Sequence, residues 1–304
     1  MRIVFMGTPE FAVPSLRLLA HEHEVPLVLT RPDAVRGRGR KLVASPVKEA
    51  ALELGIRVIE TTRITPEVLA EVIGAEPDVI AVAAFGCILP DSVLEVAPLG
   101  CVNVHGSLLP RWRGAAPIQR AVLEGDERAG ISIMKVVHEL DAGAYCRQAS
   151  VEVADKGCAT IMAELAELGA RELADALPTF ADGSVVWTEQ DDSLVTYAAK
   201  IDKAEMRLDP ADEARRNARR VQASLDTAPA RLVVAGKGVR AMAAHMTGDT
   251  VAQGSVVVRK GHVLLGCADG TLELDRVKPD GKREMDASAW ASGLRGEGLT
   301  WTKA

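Results

Sequence analysis

No stretch of the 304-residue chain comes near the ~18 consecutive apolar residues that a membrane-crossing helix needs, so a membrane partner is not expected. Cysteine is sparse. The five thiols, at positions 87, 101, 146, 158 and 267, lie far apart and form no C-x-x-C pair, which supports neither a disulfide framework nor a zinc site, and no metal is expected. The first residues lack the pattern of a cleavable signal: one basic side chain, Arg2, precedes a short apolar run that ends at Gly7-Thr8-Pro9 and reads as a buried strand. A cytoplasmic location is the default. The turn after that run also lacks the glycines of a dinucleotide fingerprint, and Pro9 stiffens it, so a nicotinamide cofactor is disfavoured. A plain strand-to-helix turn is the simpler reading, although a helix N-terminus there could still meet an anion or a polar group.

What is present is ordinary globular composition, with 48% apolar and 26% charged residues, over a length that suggests two domains of ~150 residues. The charge is unevenly spread. Residues 206–304 hold 16 Lys and Arg against 12 Asp and Glu, a balance of +4, within a chain whose net charge is −6. A mildly basic C-terminal part hints at a polyanionic partner, though surface variation alone explains a balance of that size.

The first half alternates strand and helix signals. Short apolar runs at Ile3–Met6, Val25–Thr30, Ile56–Ile59, Asp78–Phe85, Cys101–His105 and Ile131–Val137 are separated by helical spacing at Phe11–Ala20, Val47–Leu54, Pro66–Ile73 and Pro117–Leu123. The fold class this predicts is α/β, with a doubly wound, mostly parallel sheet. Arg147–Val153 alternates like an edge strand, and Cys158–Phe180 carries the longest helical pattern. Residues 1–183 then form the first domain, the polar stretch 184–210 a linker, and 211–304 a second domain. That last part opens with a basic helix over Glu213–Ala223. It continues as about five short strands punctuated by glycine turns, which fits a small barrel or sandwich.

Chemistry concentrates at Asn103-Val104-His105-Gly106-Ser107-Leu108-Leu109-Pro110. Strand alternation puts Asn103 and His105 on one face near a C-terminal strand end, where open α/β sheets bind ligands. A carboxamide can donate to a developing oxyanion, and an imidazole can exchange a proton near neutral pH. A strand-end histidine is, by itself, more often a satisfied structural residue. Asn103 beside it, and Asp141 in the Leu140-Asp141-Ala142-Gly143 loop after the next strand, point instead to an acid–base site without a nucleophile.

These residues resemble a known family. Asn103-x-His105-x-Ser107-Leu108-Leu109-Pro110, Arg113-Gly114 and Asp141-x-Gly143 are similar to the folate-dependent formyltransferases. So are Gly7-Thr8-Pro9-Glu10-Phe11, Gly37-Arg38-Gly39-Arg40-Lys41-Leu42, Ser45-Pro46-Val47-Lys48 and the run from Leu109 to Gln119. The similarity extends to about residue 208 and thins beyond, where Ala223–Ala230 departs from the aromatic- and proline-rich stretch usual in the family. The resemblance implies a Rossmann-like catalytic domain followed by an OB-like β-barrel that binds tRNA. It further implies formyl transfer from 10-formyltetrahydrofolate, as donor substrate, to the α-amino group of methionine on initiator Met-tRNA, by a monomer.

In that scheme Asn103 donates to the formyl oxygen, His105 stabilises the oxyanion or protonates the leaving folate nitrogen, and Asp141 orients His105. Ser107, Leu108, Leu109 and Pro110, with Phe85, Gly86, Ile88 and Leu89, wall the folate. The basic loop, with Arg36, Arg38, Arg40 and Lys41, lies over the tRNA acceptor end. Its plainer reading is a solvated basic run, and Ile88 and Leu89 could equally fill core. The alternatives are a formyltransferase for a small-molecule amine, a hydrolase that releases formate from the same donor, and an RNA-binding protein without catalysis. The basic loop and the β-rich C-terminal part disfavour the first.

Overall fold

A computed structural model of the chain describes residues 1–36, 41–294 and 297–304. The chain forms two compact units. One comprises residues 1–117, 128–152 and 162–198, and the other residues 118–127, 153–161 and 199–304.

The first unit is built on a sheet of β1 (Arg2–Gly7), β2 (Glu24–Thr30), β3 (Arg57–Glu60), β4 (Val79–Ala83), β5 (Cys101–His105), β6 (Arg128–Lys135) and β7 (Tyr145–Glu152), in the order β7-β6-β5-β4-β1-β2-β3. From β3 to β5 every pairing is parallel. The apolar runs that the sequence showed are strands covered on both faces: all five residues of β4 and the last five of β1 are buried. The next strand departs from the parallel pattern. β6 runs antiparallel to β5, and the edge strand β7 antiparallel to β6. The reversal keeps the sheet mostly parallel while bringing Ser132 opposite His105.

Two helices begin at side-chain caps. Ser45 Oγ accepts the Lys48 N–H at the start of Pro46–Glu53, and Thr65 Oγ1 accepts the Val68 N–H at the start of Pro66–Gly74, each with proline in first position. The long helix Cys158–Ala181 packs on the sheet through Gly169, where an added Cβ would lie 2.6 Å from Val104 Cγ1. A glycine at that point brings the helix against the strand that carries Asn103 and His105. Residues 184–198, expected as linker, are instead part of this unit: Thr188 pairs with Tyr145, and Tyr197–Ala198 forms a short parallel ladder with Arg113–Gly114.

The second unit holds an antiparallel sheet of β8 (Arg231–Val234), β9 (Lys237–Thr247), β10 (Val256–Arg259), β11 (His262–Gly266), β12 (Thr271–Pro279) and β13 (Trp301–Lys303), ordered β10-β11-β12-β9-β8-β13. The two ends of that order meet at a Ser255–Thr300 bridge, which curls the sheet into a partly closed barrel around Leu232, Val234, Val263, Leu265, Leu272 and Trp301. β13 escaped the sequence reading because only one of its three residues, Trp301, is buried. On the barrel surface His245 sits opposite Glu273, and the Asp275 carboxylate, 3.0 Å from its Nδ1, pushes the imidazole above its ordinary value. The basic helix is Ala214–Gln222, and it is not a uniformly solvated face. Arg220 is buried against Asp212 at 2.6 Å, and Arg216 pairs with the same carboxylate at 3.2 Å.

Trp301 is 1% exposed and donates its indole N–H to the Gly266 carbonyl at 2.9 Å. Trp301→Ala should therefore cost about 3–5 kcal/mol of barrel stability, as buried aromatic truncations do. Chemical denaturation followed by circular dichroism checks this, and a loss below about 1 kcal/mol would show that Trp301 is not central to that core.

Candidate active site

Strand order reverses at β1, which has β2 on one side and β4 on the other, and ligand crevices in open α/β sheets open at the carboxyl ends of strands near such a point. Three loops converge there. Thr8 Oγ1 donates to the Phe85 carbonyl at 2.9 Å and accepts the Arg31 N–H at 3.3 Å, while the Arg31 guanidinium donates to the Gly86 carbonyl at 2.7 Å. The Gly7-Thr8 turn thus ties the crevice floor together and has its hydroxyl engaged, as expected of a plain strand-to-helix turn.

One strand along, Asn103 and His105 share a face of β5, with Val102 and Val104 on the other. His105 is buried and Asn103 half-buried. The Asn103 carboxamide makes no hydrogen bond to any described residue, so its donors remain available to a ligand. His105 Nε2 donates to the Trp112 carbonyl at 3.0 Å, and Nδ1 lies 3.7 Å from Asp141 Oδ1. The other carboxylate oxygen, Asp141 Oδ2, accepts the Gly114 N–H at 2.8 Å. The sequence-predicted Asn103, His105 and Asp141 therefore meet at one strand end, with the 107–114 loop holding both His105 and Asp141.

Two loops frame this centre. In the first, Ser107 Oγ donates to the Arg111 carbonyl at 2.6 Å, and Ser132 Oγ donates to the Ser107 carbonyl at 2.7 Å while accepting the Leu109 N–H at 3.1 Å. Gln148 Nε2 donates to the Leu109 carbonyl at 2.9 Å. In the second, Asp141 takes a left-handed conformation (φ 49°), which short polar side chains tolerate. Gly143 then passes so close to β6 that a Cβ there would lie 2.1 Å from the Lys135 carbonyl oxygen. Glycine at 143 is a steric requirement for the loop that delivers Asp141.

The residues expected to wall the folate divide. Phe85 and Leu109 are buried, Leu108 lies over Gly130, and the Ser107 hydroxyl is used within its own turn. Pro110 follows Leu109 through a cis peptide, and Leu89 is half-buried against the core. Gly86 is exposed, with its carbonyl held by Arg31. Ile88 alone is bare, at 92% exposure. Two further apolar side chains that the sequence reading did not single out, Val137 and Leu140, are also exposed, at 40% and 66%. They lie on the loop that His138 joins to Asp91 at 3.1 Å. No sequence periodicity marks their exposure.

The arrangement offers no thiolate. Burial pushes Cys101 up to about 12 and Cys146 up to about 11, so both stay protonated near neutrality. Arg38 and Arg40 of the basic loop lie outside the described residues. Arg36 and Lys41 pair through their backbones in the hairpin Ala34–Arg36 with Lys41–Val43.

Comparison with known proteins agrees with both units. Residues 1–177 match the formyl transferase family, and residues 200–295 match the formyl transferase C-terminal domain. The chain is 43% identical over 292 residues to the methionyl-tRNA formyltransferase of Methylococcus capsulatus, covering 94% of this chain and 95% of that protein. It is 43% identical over 301 residues to that of Thiobacillus denitrificans, covering 96% of each. Among solved structures it shares its fold with WlaRD, a sugar 3N-formyl transferase crystallised in the presence of dTDP and 5-N-formyl-THF, at TM-score 0.66 and 12% identity over 93% of this chain and 99% of that one. Both halves matched in order, and with relatives of this identity along nearly its whole length, the chain belongs to the formyl transferase family.

Proposed function

We propose that this chain transfers the formyl group of 10-formyltetrahydrofolate to the α-amino group of methionine on initiator Met-tRNA. The observation that carries the reading is the meeting of a free carboxamide, an imidazole and a carboxylate at the end of β5, beside loops with bare apolar side chains. The reaction asks for these groups. The neutral amine attacks the formyl carbon, a C–N bond forms, and the C=O π electrons move to the oxygen. Asn103 donates to that oxyanion, and the His105 imidazolium stabilises it through its charge. The tetrahedral intermediate collapses by breaking the bond to the folate N10, which takes a proton from the His105 imidazolium, while the amine gives up its proton through water to Asp141, and passage of that proton from Asp141 to His105 restores the pair. Net, the formyl group and one proton exchange places between the two nitrogens.

Ile88, Val137 and Leu140 supply apolar surface for the pterin, and the backbone of residues 106–110 supplies polar edges. The basic loop with Arg36, Arg38, Arg40 and Lys41 fits the phosphates of an acceptor stem, since arginine–glycine segments can order on a nucleic-acid backbone. A small-molecule amine gives no reason for that loop. A cytoplasmic monomer completes the proposal.

Incubation with 10-formyltetrahydrofolate and charged initiator or elongator tRNA, followed by mass analysis of the aminoacyl ester, tests the activity directly. Formylation of neither would end the proposal. Asn103→Ala should lower kcat by about 10²–10³ while tRNA affinity stays near wild type, and equal loss of both would contradict the oxyanion role. Arg38→Ala should raise KM for tRNA and flatten its dependence on salt. Unchanged tRNA kinetics from low to high ionic strength would remove the loop from the binding surface.

A further inference from the structure

The segment that the sequence offered as a linker holds a side chain with both ends of its amide engaged. Gln190 Nε2 donates to the Asp141 carbonyl at 2.8 Å and to the Gly143 carbonyl at 2.7 Å. Its Oε1 accepts the Arg113 Nε–H at 2.9 Å. Arg113 is itself 3% exposed, and its guanidinium reaches Asp192 Oδ1 at 3.2 Å. The next residue, Gly114, gives its N–H to the Asp141 carboxylate. Gln190 thus bridges the two loops that meet at His105 and Asp141: it grips the backbone on either side of Ala142 in one, and through Arg113 it fixes the other next to the Gly114 N–H.

The same segment repeats the bridge further on. Thr196 accepts the Trp112 N–H on Oγ1 at 3.0 Å and the Arg113 N–H on its carbonyl at 2.9 Å. Trp112 is the residue whose carbonyl holds His105. The two backbone groups shown to hydrogen-bond the His105–Asp141 pair, the Trp112 carbonyl and the Gly114 N–H, therefore belong to a loop fastened to residues 190–196.

We propose that Gln190 is a positioning residue for catalysis, holding the Asp141 backbone in its left-handed conformation so that one carboxylate oxygen faces His105 and the other the Gly114 N–H. It touches neither substrate nor the reacting atoms. The inference rests on the assignment of Asp141 to the reaction, and it adds a residue from outside the Asn-His-Asp set. A free Asp141 would swing its carboxylate away from His105, and displacement of ~1 Å at a catalytic group commonly costs up to ~10² in rate.

Two substitutions separate positioning from simple support. Gln190→Met keeps the volume and loses all three hydrogen bonds. Gln190→Glu keeps an acceptor for Arg113 but loses both donors and sets a carboxylate against two carbonyl oxygens. Each should lower kcat between about 10- and 100-fold, with KM for folate and for tRNA within about threefold of wild type and an unfolding midpoint close to wild type. The decisive comparison is with Asp141→Asn. In that background Gln190→Glu should cause little further loss of kcat, because a residue acting through Asp141 has nothing left to position.

Additive losses in the double variant would overturn the proposal, as would wild-type kcat in Gln190→Glu. If Asp141→Asn itself leaves kcat unchanged, the failure lies in the role of Asp141 and not in the bridge. If Gln190→Met is too unstable to assay, Gln190→Glu carries the test alone.

Discussion

A carboxylate and an imidazole 3.7 Å apart, the acid itself held by a backbone N–H, are the interaction that the rest of the first unit serves. Burying charged groups is costly unless each has a partner. The His105 ring is 5% exposed and Asp141 16%, and each meets a polar group from the 107–114 loop: the Trp112 carbonyl for His105, the Gly114 N–H for Asp141. Neither can shift without stranding a charge or a backbone group. That coupling gives the site a fixed geometry before any ligand arrives, which electrostatic stabilisation of an oxyanion requires.

The fold delivers this geometry through contacts between segments distant in sequence. A parallel sheet brings the carboxyl ends of β1, β4 and β5 to one edge, and the antiparallel β6 places Ser132 beneath the loop that follows His105. Close packing of the long helix at Gly169 presses β5 from one face and leaves the other for Asn103 and His105. Side chains of the loops at this edge turn either into the core or out to solvent. That division explains how Phe85 and Ile88, three residues apart, come to have opposite surroundings.

Much of this was legible in the sequence, for identifiable reasons. Apolar runs of strand length, alternating with capped helical spacing, can hardly be anything other than a doubly wound sheet. Strand alternation alone put Asn103 and His105 on a common face. What escaped notice depends on tertiary contact. The orientation of β6 leaves no mark in its own residues. Ser107 and Leu109 face inward because Ser132 and Gln148 fasten their loop, a long-range effect. Gln190 and Thr196 lie in a stretch that reads as linker because their partners include backbone groups of loops far off in sequence. Arg220 likewise reads as surface charge until Asp212 closes over it.

The central claim is that the Asn103 amide and the His105–Asp141 pair act together on one carbonyl oxygen. The most direct measurement is a crystal structure of the protein with a non-transferable formyl-folate analogue. The account predicts the formyl oxygen at hydrogen-bond distance from Asn103 Nδ2, about 2.7–3.2 Å, with the His105–Asp141 contact intact. An analogue bound with its formyl oxygen turned away from Asn103, or at a different edge of the sheet, would contradict it.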